Sequence, residues 1–326
     1  MEIIIAGNSS FAYYCLEKLC RKGFPVAKVI VPDKNIYRSA DSVDFSGLAG
    51  EFGLELIKIT GADRDIRVIE TDVLINLEWP DILRLPVKSR IARIGSNLAG
   101  QFSGGFLVDI AAEMYNGNTT AEVQLILEQD LADYEGTKKI AFEPPYFTVL
   151  GDTKIEINPF DDIRSGKTKA AVGYYRLLED FLRKLDKTGN IPSRLEKELT
   201  FKKVKAERII DWGKGAMFLH NMVRAYTHPG PGSYTWHDDK KMIIWRGHYF
   251  DLLENAYAEI DPGTIVDVIE ELGVVVKTGH GLFLVTRIQP LGSPELPAWV
   301  WASERHVVSN EKFEIYLNNK QAIDVK

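Results

Sequence analysis

Short apolar runs alternate with amphipathic segments along the first half of the chain. Residues 2–6 are mostly apolar, and residues 11–19, beyond a glycine-containing turn, carry apolar side chains at helical spacing. Runs with strand composition follow at 26–31, 55–59, 73–77, 91–94 and 123–127. Apolar strands separated by helical segments are typical of parallel sheets that carry helices on both faces. We therefore predict a doubly wound α/β fold for this part of the chain.

Helical patterns and a polar linker complete the first predicted domain. Apolar periodicity predicts helices at residues 43–52, 106–115 and 170–185. The last of these ends near Gly189, where a polar, lysine-rich stretch begins that extends to residue 207. We place the domain boundary in this stretch and predict one domain at residues 1–200 and a second at residues 201–326.

The pattern changes beyond the linker. One helix is predicted at residues 217–226, and the run from Pro229 to Gly232 is typical of a rigid turn. Short apolar runs separated by turn residues follow at 234–236, 242–245, 264–268, 273–276 and 282–285. Strands of this length and spacing favour a small antiparallel β-barrel, similar to an OB fold.

Composition narrows the class of protein. The chain has 326 residues, 45% of them hydrophobic and 26% charged, which suits two globular domains. A net charge of −6 argues against nucleic acid as the main partner. Cys15 and Cys20 point to different faces of a predicted helix, as expected in a reducing compartment such as the cytoplasm. Neither a membrane span nor a signal peptide is expected, and the sequence is compatible with a homodimer.

Histidine is confined to the last third of the chain. The six histidines are His220, His228, His237, His248, His280 and His306. They form no pair at the three- or four-residue spacing of a helical metal site, so no metal centre is predicted. If the first domain holds a reactive centre, its proton transfer must rely on a carboxylate, or the centre has lost that chemistry.

Five motifs of the last third are specific enough to compare with known families. They are Ile-Ile-Asp-Trp at 209–212, Leu-His-Asn-Met-Val-Arg-Ala at 219–225, Pro-Gly-Pro-Gly-Ser-Tyr-Thr at 229–235, Lys-Lys-Met-Ile-Ile-Trp at 240–245 and Pro-Gly-Thr at 262–264. With these motifs the chain resembles the folate-dependent formyltransferases, most of all the branch that formylates an amino sugar on a uridine nucleotide. The resemblance covers nearly the whole chain and implies formyl-tetrahydrofolate as the one-carbon donor.

The resemblance also implies where the reaction takes place. In the family an Asn-x-His motif ends a sheet strand and holds the formyl oxygen, while an aspartate in a later loop orients these two residues. Comparison without gaps puts Gly95 at the asparagine, Asn97 at the histidine and Asp133 at the aspartate. The implied catalytic set is therefore Gly95, Asn97 and Asp133, and only the aspartate is kept.

Three interpretations of this altered set stay open. The Asn97 amide can donate to an oxyanion but cannot take a proton, so Asp133 would have to act as the base. Burial of Asp133 beside Leu131 and Tyr134 would raise the pKa of its carboxyl group toward that role. Alternatively, Asp133 caps a loop and formyl transfer is lost. The third interpretation is a different one-carbon or acyl transfer, in which Asn97 serves binding alone.

The ligand site is predicted at the carboxyl ends of the sheet strands, where open parallel sheets form a crevice. The turn at residues 7–12 has one of the three glycines of a dinucleotide fingerprint and is interpreted as a plain turn into a helix. The residues predicted to bind substrate or donor are Gly7, Asn8, Ser9, Phe11, Trp79, Ser96, Gln101, Ser103 and Tyr134.

Two hypotheses of function follow, with a third behind them. The first is formyl transfer from formyl-tetrahydrofolate to the amine of a small substrate, an amino sugar on a nucleotide. The second is a catalytically silent or repurposed homologue that binds a nucleotide or a folate-like ligand. The third, a divergent methionyl-tRNA formyltransferase, is disfavoured because residues 32–44 are nearly neutral where that branch carries a more basic loop.

Overall fold

The computed structural model describes residues 1–35, 41–60, 68–79, 85–98, 102–103, 106–128, 147–191, 203–250 and 257–314. The chain divides into two compact units. The first comprises Met1–Ile110, Thr119–Pro159 and Arg164–Val204, and the second comprises Ala111–Asn118, Phe160–Ile163 and Lys205–Lys326. The main division falls within the predicted linker. Two short segments from the first half of the chain, Ala111–Asn118 and Phe160–Ile163, belong to the second unit. The predicted division at a single position, residue 200, did not include them.

A seven-stranded sheet forms the centre of the first unit. From the N-terminus to residue 205 the elements are β1 (Ile3–Ala6), α1 (Ser10–Arg21), β2 (Val26–Pro32), α2 (Ser46–Phe52), β3 (Glu55–Ile59), β4 (Ile69–Asn76), β5 (Val87–Ser96), β6 (Phe102–Ser103), β7 (Phe106–Val108), α3 (Ile110–Tyr115), β8 (Thr120–Glu128), β9 (Phe147–Glu156), α4 (Ile163–Thr188) and β10 (Lys203–Lys205). All but one of the residues of α3 belong to the second unit. The sheet order is β3-β2-β1-β4-β5-β8-β9, and the first five strands are parallel. This parallel core confirms the predicted doubly wound fold.

Two strands depart from the predicted parallel sheet. β8 runs antiparallel to β5, and β9 runs antiparallel to β8. The connection from β5 to β8 contains β6, β7 and α3. The sheet is therefore mixed, with five parallel strands and two further strands that join it in antiparallel pairs.

The predicted helix at residues 106–115 is wrong in its first part. Residues 106–108 form β7, which belongs to a small three-stranded sheet with β6 and β10. Asp109 follows with φ of 49°, a left-handed conformation that interrupts regular structure, and α3 begins only at Ile110. The apolar residues at 106–115 keep a helical spacing throughout, although the backbone changes from a strand to a helix at Asp109. The spacing alone therefore predicted a helix that was too long.

Burial on both faces of the sheet explains its apolar strands. Ile3, Ile4 and Ile5 of β1 have no exposed surface. The side chains of α1 that were predicted to face inward are buried as well, and these are Phe11, Cys15, Leu16 and Leu19. The first helix thus covers the sheet with the face that its sequence pattern indicated.

A six-stranded antiparallel sheet forms the second unit and confirms the predicted small β domain. Its elements are α5 (Ala216–Tyr226), β11 (Ser233–His237), β12 (Lys240–Phe250), β13 (Ile265–Ile269), β14 (Gly273–Lys277), β15 (Leu282–Pro290), β16 (Leu296–Pro297) and α6 (Ala298–Glu304). The strand order is β11-β12-β15-β14-β13, and β16 pairs with β15. Glu314 bridges to Trp236 of β11, and Lys312 bridges to Thr264 beside β13. Residues 312–314 therefore join the two edges of the sheet.

The turn between β11 and β12 closes an antiparallel hairpin. Asp238 and Asp239 have φ angles of 49° and 60°. Two consecutive left-handed residues are typical of a type I′ turn, whose twist matches that of the flanking strands. Aspartate tolerates this conformation better than most residues do, which explains the Asp-Asp pair.

Cys15 and Cys20 are both free, as expected from their placement on one helix. In the part of the chain that the structure describes, the helices lack the length or the apolar character needed to cross a membrane.

Candidate active site at the sheet edge

The carboxyl ends of β1, β4 and β5 lie side by side in the first unit. Ala6, the last residue of β1, pairs with Asn76, the last residue of β4, and β4 pairs in parallel with β5. β8 runs the other way, so its last residue, Glu128, pairs with Arg93 inside β5. Because adjacent parallel strand ends carry their loops into a common crevice, this edge of the sheet is the candidate active site.

A glutamate carboxylate covers the ends of β4 and β5. The Glu128 side chain extends from its pairing position toward Asn76, whose Nδ2 donates to the two carboxylate oxygens at 3.2 Å each. Arg93 Nε donates to Glu128 Oε2 at 2.7 Å. The Glu128 and Arg93 side chains are only 13% and 18% exposed. The structure thus holds a largely buried carboxylate in one place by a guanidinium and an amide.

The missing side chain of Gly95 makes room for this carboxylate. A Cβ atom at residue 95 would lie 2.0 Å from Glu128 Oε1, far inside van der Waals contact. The Gly95 carbonyl accepts a hydrogen bond of 2.9 Å from the Tyr174 hydroxyl. Burial raises the pKa of Tyr174 well above its ordinary value, so the phenol keeps its proton and acts as a donor. The Glu128 carboxylate therefore packs directly on the backbone of Gly95.

Glu128 was not among the residues predicted from the sequence. The sequence did contain an indication of it. Glycine at residue 95, where the family has asparagine, leaves a space that a side chain from a neighbouring strand must fill. Which residue fills that space depends on the antiparallel register of β8 against β5, in which Gly95 pairs with Ile126 and Arg93 with Glu128. Glu128 then lies diagonally across from Gly95 on the same face of the sheet.

The carboxamide of Asn97 is bound to the backbone of β8. Its Nδ2 donates to the Glu122 carbonyl at 2.9 Å, and its Oδ1 accepts from the Gln124 amide at 2.8 Å. The side chain is 2% exposed. In this arrangement Asn97 ties the end of β5 to β8, and its catalytic role from the resemblance stays a prediction.

Asn97→Ala is expected to destabilise the first unit by about 2–4 kcal/mol, because two buried backbone groups lose their hydrogen-bond partner. Urea unfolding followed by tryptophan fluorescence and circular dichroism measures this change. Asn116→Ala, at an exposed asparagine, is the control and is expected to lie within about 0.5 kcal/mol of the wild type. An Asn97→Ala protein as stable as that control would contradict the tying role.

The turn after β1 is held by its own hydrogen bonds. Ser9 caps α1 by accepting from the Ala12 amide at 3.3 Å, and Asn8 Nδ2 donates to Ser42 Oγ at 3.1 Å. Gly7 has φ of 154°, and a Cβ atom there would lie 2.2 Å from the Leu77 carbonyl oxygen. Gly7, Asn8 and Ser9 thus lie at the predicted edge of the sheet, where they build the turn itself.

Three other residues predicted to bind ligand are placed by packing. Phe11 is buried and contacts the Tyr174 ring edge-on, with 5.1 Å between ring centroids. Trp79 belongs to the apolar cluster around Leu74. Ser96 Oγ accepts a hydrogen bond of 3.1 Å from the Leu98 amide. These contacts stabilise the strand ends, and ligand binding by the three residues stays a prediction.

The sequence also did not identify a buried ionic cluster at the end of β4. Lys167 of α4 pairs with Glu78 at 3.0 Å and with Asp41, which in turn accepts a hydrogen bond from Ser10. Burial by itself would lower the pKa of the Lys167 ammonium, but the two carboxylates more than offset burial and raise it. Lys167 therefore stays charged and holds the segments after β2 and β4 against α4.

The remaining predicted residues fall largely outside the described part of the chain. Asp133, Tyr134 and Gln101 lie outside it, and of Ser103 only the backbone, in β6, is described. Their roles in catalysis and binding stay predictions.

Comparison with known proteins extends these observations. Residues 202–306 match the family described as formyl transferase, C-terminal domain. A methionyl-tRNA formyltransferase from Burkholderia ambifaria (strain MC40-6) is 24% identical over 97% of this chain and 98% of its own length.

Solved structures share the fold. HypX from Aquifex aeolicus, solved in complex with tetrahydrofolic acid, superposes over 97% of this chain with a TM-score of 0.58 and 13% identity, and this match covers 50% of HypX. WlaRD, a sugar 3N-formyl transferase solved with dTDP and 5-N-formyl-THF, superposes over 90% of this chain and 99% of its own, with a TM-score of 0.52 and 14% identity. Residues 202–306 thus match a formyltransferase C-terminal domain, and the chain as a whole shares its fold with these solved structures.

Proposed function

We propose that this protein transfers a formyl group from formyl-tetrahydrofolate to the amine of a small substrate. The observation that carries the proposal is the Glu128 carboxylate, which lies over Gly95 where the resemblance puts the family's asparagine. Transfer to an amine needs a proton acceptor near the formyl group, and the first 219 residues contain no histidine for that role. Glu128 supplies a carboxylate that its neighbours already hold at the strand ends.

The donor supplies an activated formyl carbon, to which the acceptor nitrogen bonds as the bond from that carbon to the folate nitrogen breaks. Glu128 takes the proton that the attacking amine loses. The protonated Glu128 then gives this proton to the departing folate nitrogen, so the residue ends in its starting form. Arg93 and Asn76 keep the carboxylate in position during both transfers.

Asn76 offers an acceptor that such a ligand would need. Its Oδ1 is buried and lacks a hydrogen-bond partner among the described residues. A buried oxygen without a partner costs free energy, which an N–H group of a bound amine or folate would recover. We propose that Asp133, Gln101, Ser103 and Tyr134 complete the site, with Asp133 as a second carboxylate able to take part in proton transfer.

We assign the acceptor to amino sugars linked to nucleotides. The C-terminal motifs resemble that branch, and one of the fold relatives is a sugar 3N-formyl transferase. The net charge of −6 and the nearly neutral residues 32–44 also support a small acceptor over an RNA. The similarity to a methionyl-tRNA formyltransferase favours a tRNA acceptor, which is the second acceptor to test.

The test is a formyl-transfer assay with the purified chain, formyl-tetrahydrofolate and a panel of acceptors. The panel contains dTDP- and UDP-linked amino sugars and, in parallel, methionyl-tRNA. We expect catalytic release of tetrahydrofolate with an amino sugar nucleotide and none with methionyl-tRNA. Turnover with methionyl-tRNA alone would move the assignment to that substrate, and no turnover with any acceptor would reject formyl transfer.

A catalytically silent homologue is the second candidate function. It is favoured by the hydrogen bonds that hold the Asn97 carboxamide on β8, since this amide is then turned to the backbone. Thermal unfolding with formyl-tetrahydrofolate and with nucleotides separates the two candidates, because a ligand that binds the native state raises its melting temperature. A rise with folate and no turnover would support the silent homologue.

A further inference from the structure

Two acidic side chains and a histidine meet in the second unit. His237, Asp238 and Glu311 each place one potential ligand atom within 4.8 Å of the other two. Glu311 Oε2 lies 2.9 Å from His237 Nε2, and Asp238 Oδ2 lies 3.6 Å from His237 Nδ1. We propose that these three side chains form a binding site for a divalent transition-metal cation, Zn²⁺.

The histidine is held in a fixed orientation. His237 is 5% exposed and ends β11. Its ring packs edge-on against Trp301, with 5.1 Å between centroids, and lies 5.5 Å from Phe313. A buried imidazole that aromatic rings keep in place loses little freedom when it binds a metal.

The two carboxylates are positioned by the backbone around them. Glu311 Oε1 accepts a hydrogen bond of 3.0 Å from the Val308 amide, which leaves Oε2 directed at His237. Asp238 occupies the first left-handed position of the hairpin turn, and its carboxylate is 85% exposed. The Glu311 carboxylate is thus already oriented toward His237, whereas the exposed Asp238 side chain can rotate to bind the ion.

A tetrahedral ion at this place would bind one imidazole nitrogen. Metal–ligand bonds of about 2.0–2.2 Å put neighbouring ligand atoms about 3.3–3.6 Å apart in a tetrahedral site. Glu311 Oε2 lies 2.9 Å from His237 Nε2, so an ion bound at Nε2 needs a small outward movement of this carboxylate. Asp238 Oδ2 lies 3.6 Å from the other ring nitrogen, Nδ1, so the exposed Asp238 side chain must rotate toward Nε2 to reach the same ion. Imidazole nitrogen with carboxylate oxygen is a set that Zn²⁺ accepts, whereas Mg²⁺ and Ca²⁺ prefer oxygen alone.

The site opens onto a cavity of about 530 Å³ that leaves space for a water molecule as the fourth ligand. The lining residues are His237, Asp238, Glu304, Arg305, His306, Val307 and Glu311. The spacing of the histidines along the sequence did not predict this site, because one of its three ligands, Glu311, lies 74 positions after His237.

An ion here would connect two parts of the β domain. His237 and Asp238 belong to the hairpin of β11 and β12, whereas Glu311 directly precedes residues 312–314, which bridge to both edges of the sheet. The ion would therefore fasten the segment that joins the edges to the hairpin. We expect Zn²⁺ in excess over its dissociation constant to raise the melting temperature of the full chain by about 3–8 °C.

The experiment measures Zn²⁺ binding to the full chain, freed of any histidine tag and treated with EDTA. Calorimetric titration is expected to find one ion per chain, and Co²⁺ substituted for Zn²⁺ is expected to give the visible absorption of a tetrahedral site. His237→Gln is expected to weaken binding by about 100-fold or more, and Glu311→Gln by about 10–100-fold. Glu311→Gln keeps an oxygen for the Val308 amide, so its fold should be retained.

His306→Gln is the matched control, because it makes the same chemical change on the wall of the same cavity. Its affinity for Zn²⁺ is expected to equal that of the wild type. A wild type that binds Zn²⁺ only at millimolar concentration, or a His306→Gln protein that loses as much affinity as His237→Gln, would overturn the proposal. The formyl-transfer assay does not enter this test, so the two proposals fail independently.

Discussion

Glu128→Gln is expected to lower the turnover number for formyl transfer by about 10²–10⁴-fold, the usual contribution of a positioned general base. Glutamine has nearly the same size as glutamate, so it fits above Gly95, and its amide oxygen can still accept from Arg93 or Asn76. It cannot take a proton from an amine. We therefore expect a large loss in kcat with little change in the affinity for formyl-tetrahydrofolate, measured by titration.

Glu156→Gln is the control for the change of charge, since Glu156 is exposed at the end of β9. Its rate is expected to equal that of the wild type. Asp133→Asn completes the comparison. A Glu128→Gln enzyme that stays active beside an inactive Asp133→Asn enzyme would assign the base to Asp133 and refute the role of Glu128.

Gly95→Asn is expected to destabilise the first unit by about 2–4 kcal/mol. The new Cβ atom would lie 2.0 Å from Glu128 Oε1, so the carboxylate must leave its place and give up its bonds to Arg93 and Asn76. Urea unfolding measures the loss. The control is Gly50→Asn on α2, where a Cβ atom meets nothing within 4 Å.

Shortening the glutamate tests whether the clash is the cause. The double variant Gly95→Asn with Glu128→Ala is expected to be more stable than the sum of the two single changes predicts, by at least about 1 kcal/mol. Additive effects would contradict a direct contact between the two positions. The same contact predicts that restoring the family motif by Gly95→Asn and Asn97→His alone gives an unstable protein.

Much of the fold could be predicted from the sequence because it depends on local periodicity. The central strand β1 is a short buried apolar run, and the inward face of α1 follows from residues at helical spacing. The hairpin of β11 and β12 follows from two aspartates between alternating strands. In each case the residues that decide the structure lie within a few positions of one another.

The candidate site was predicted only in its location. The resemblance directed attention to Gly95 and Asn97, and both lie at the end of β5, as expected. Their surroundings depended on the antiparallel direction of β8, which apolar periodicity does not indicate. A parallel β8 would not have brought Glu128 over Gly95 or the β8 backbone to Asn97.

The amino-acid sequence by itself thus determined the parallel core, the two-part organisation and the absence of histidine from the first 219 residues. Only the tertiary structure decided which carboxylate lies over Gly95 and which side chains meet His237. Arg93 and Glu128 are 35 positions apart, and Lys167 and Asp41 are 126 apart, yet both pairs are in contact. The physical reason is that a local pattern specifies which side chains are buried, whereas strand direction and register specify which buried side chains become neighbours.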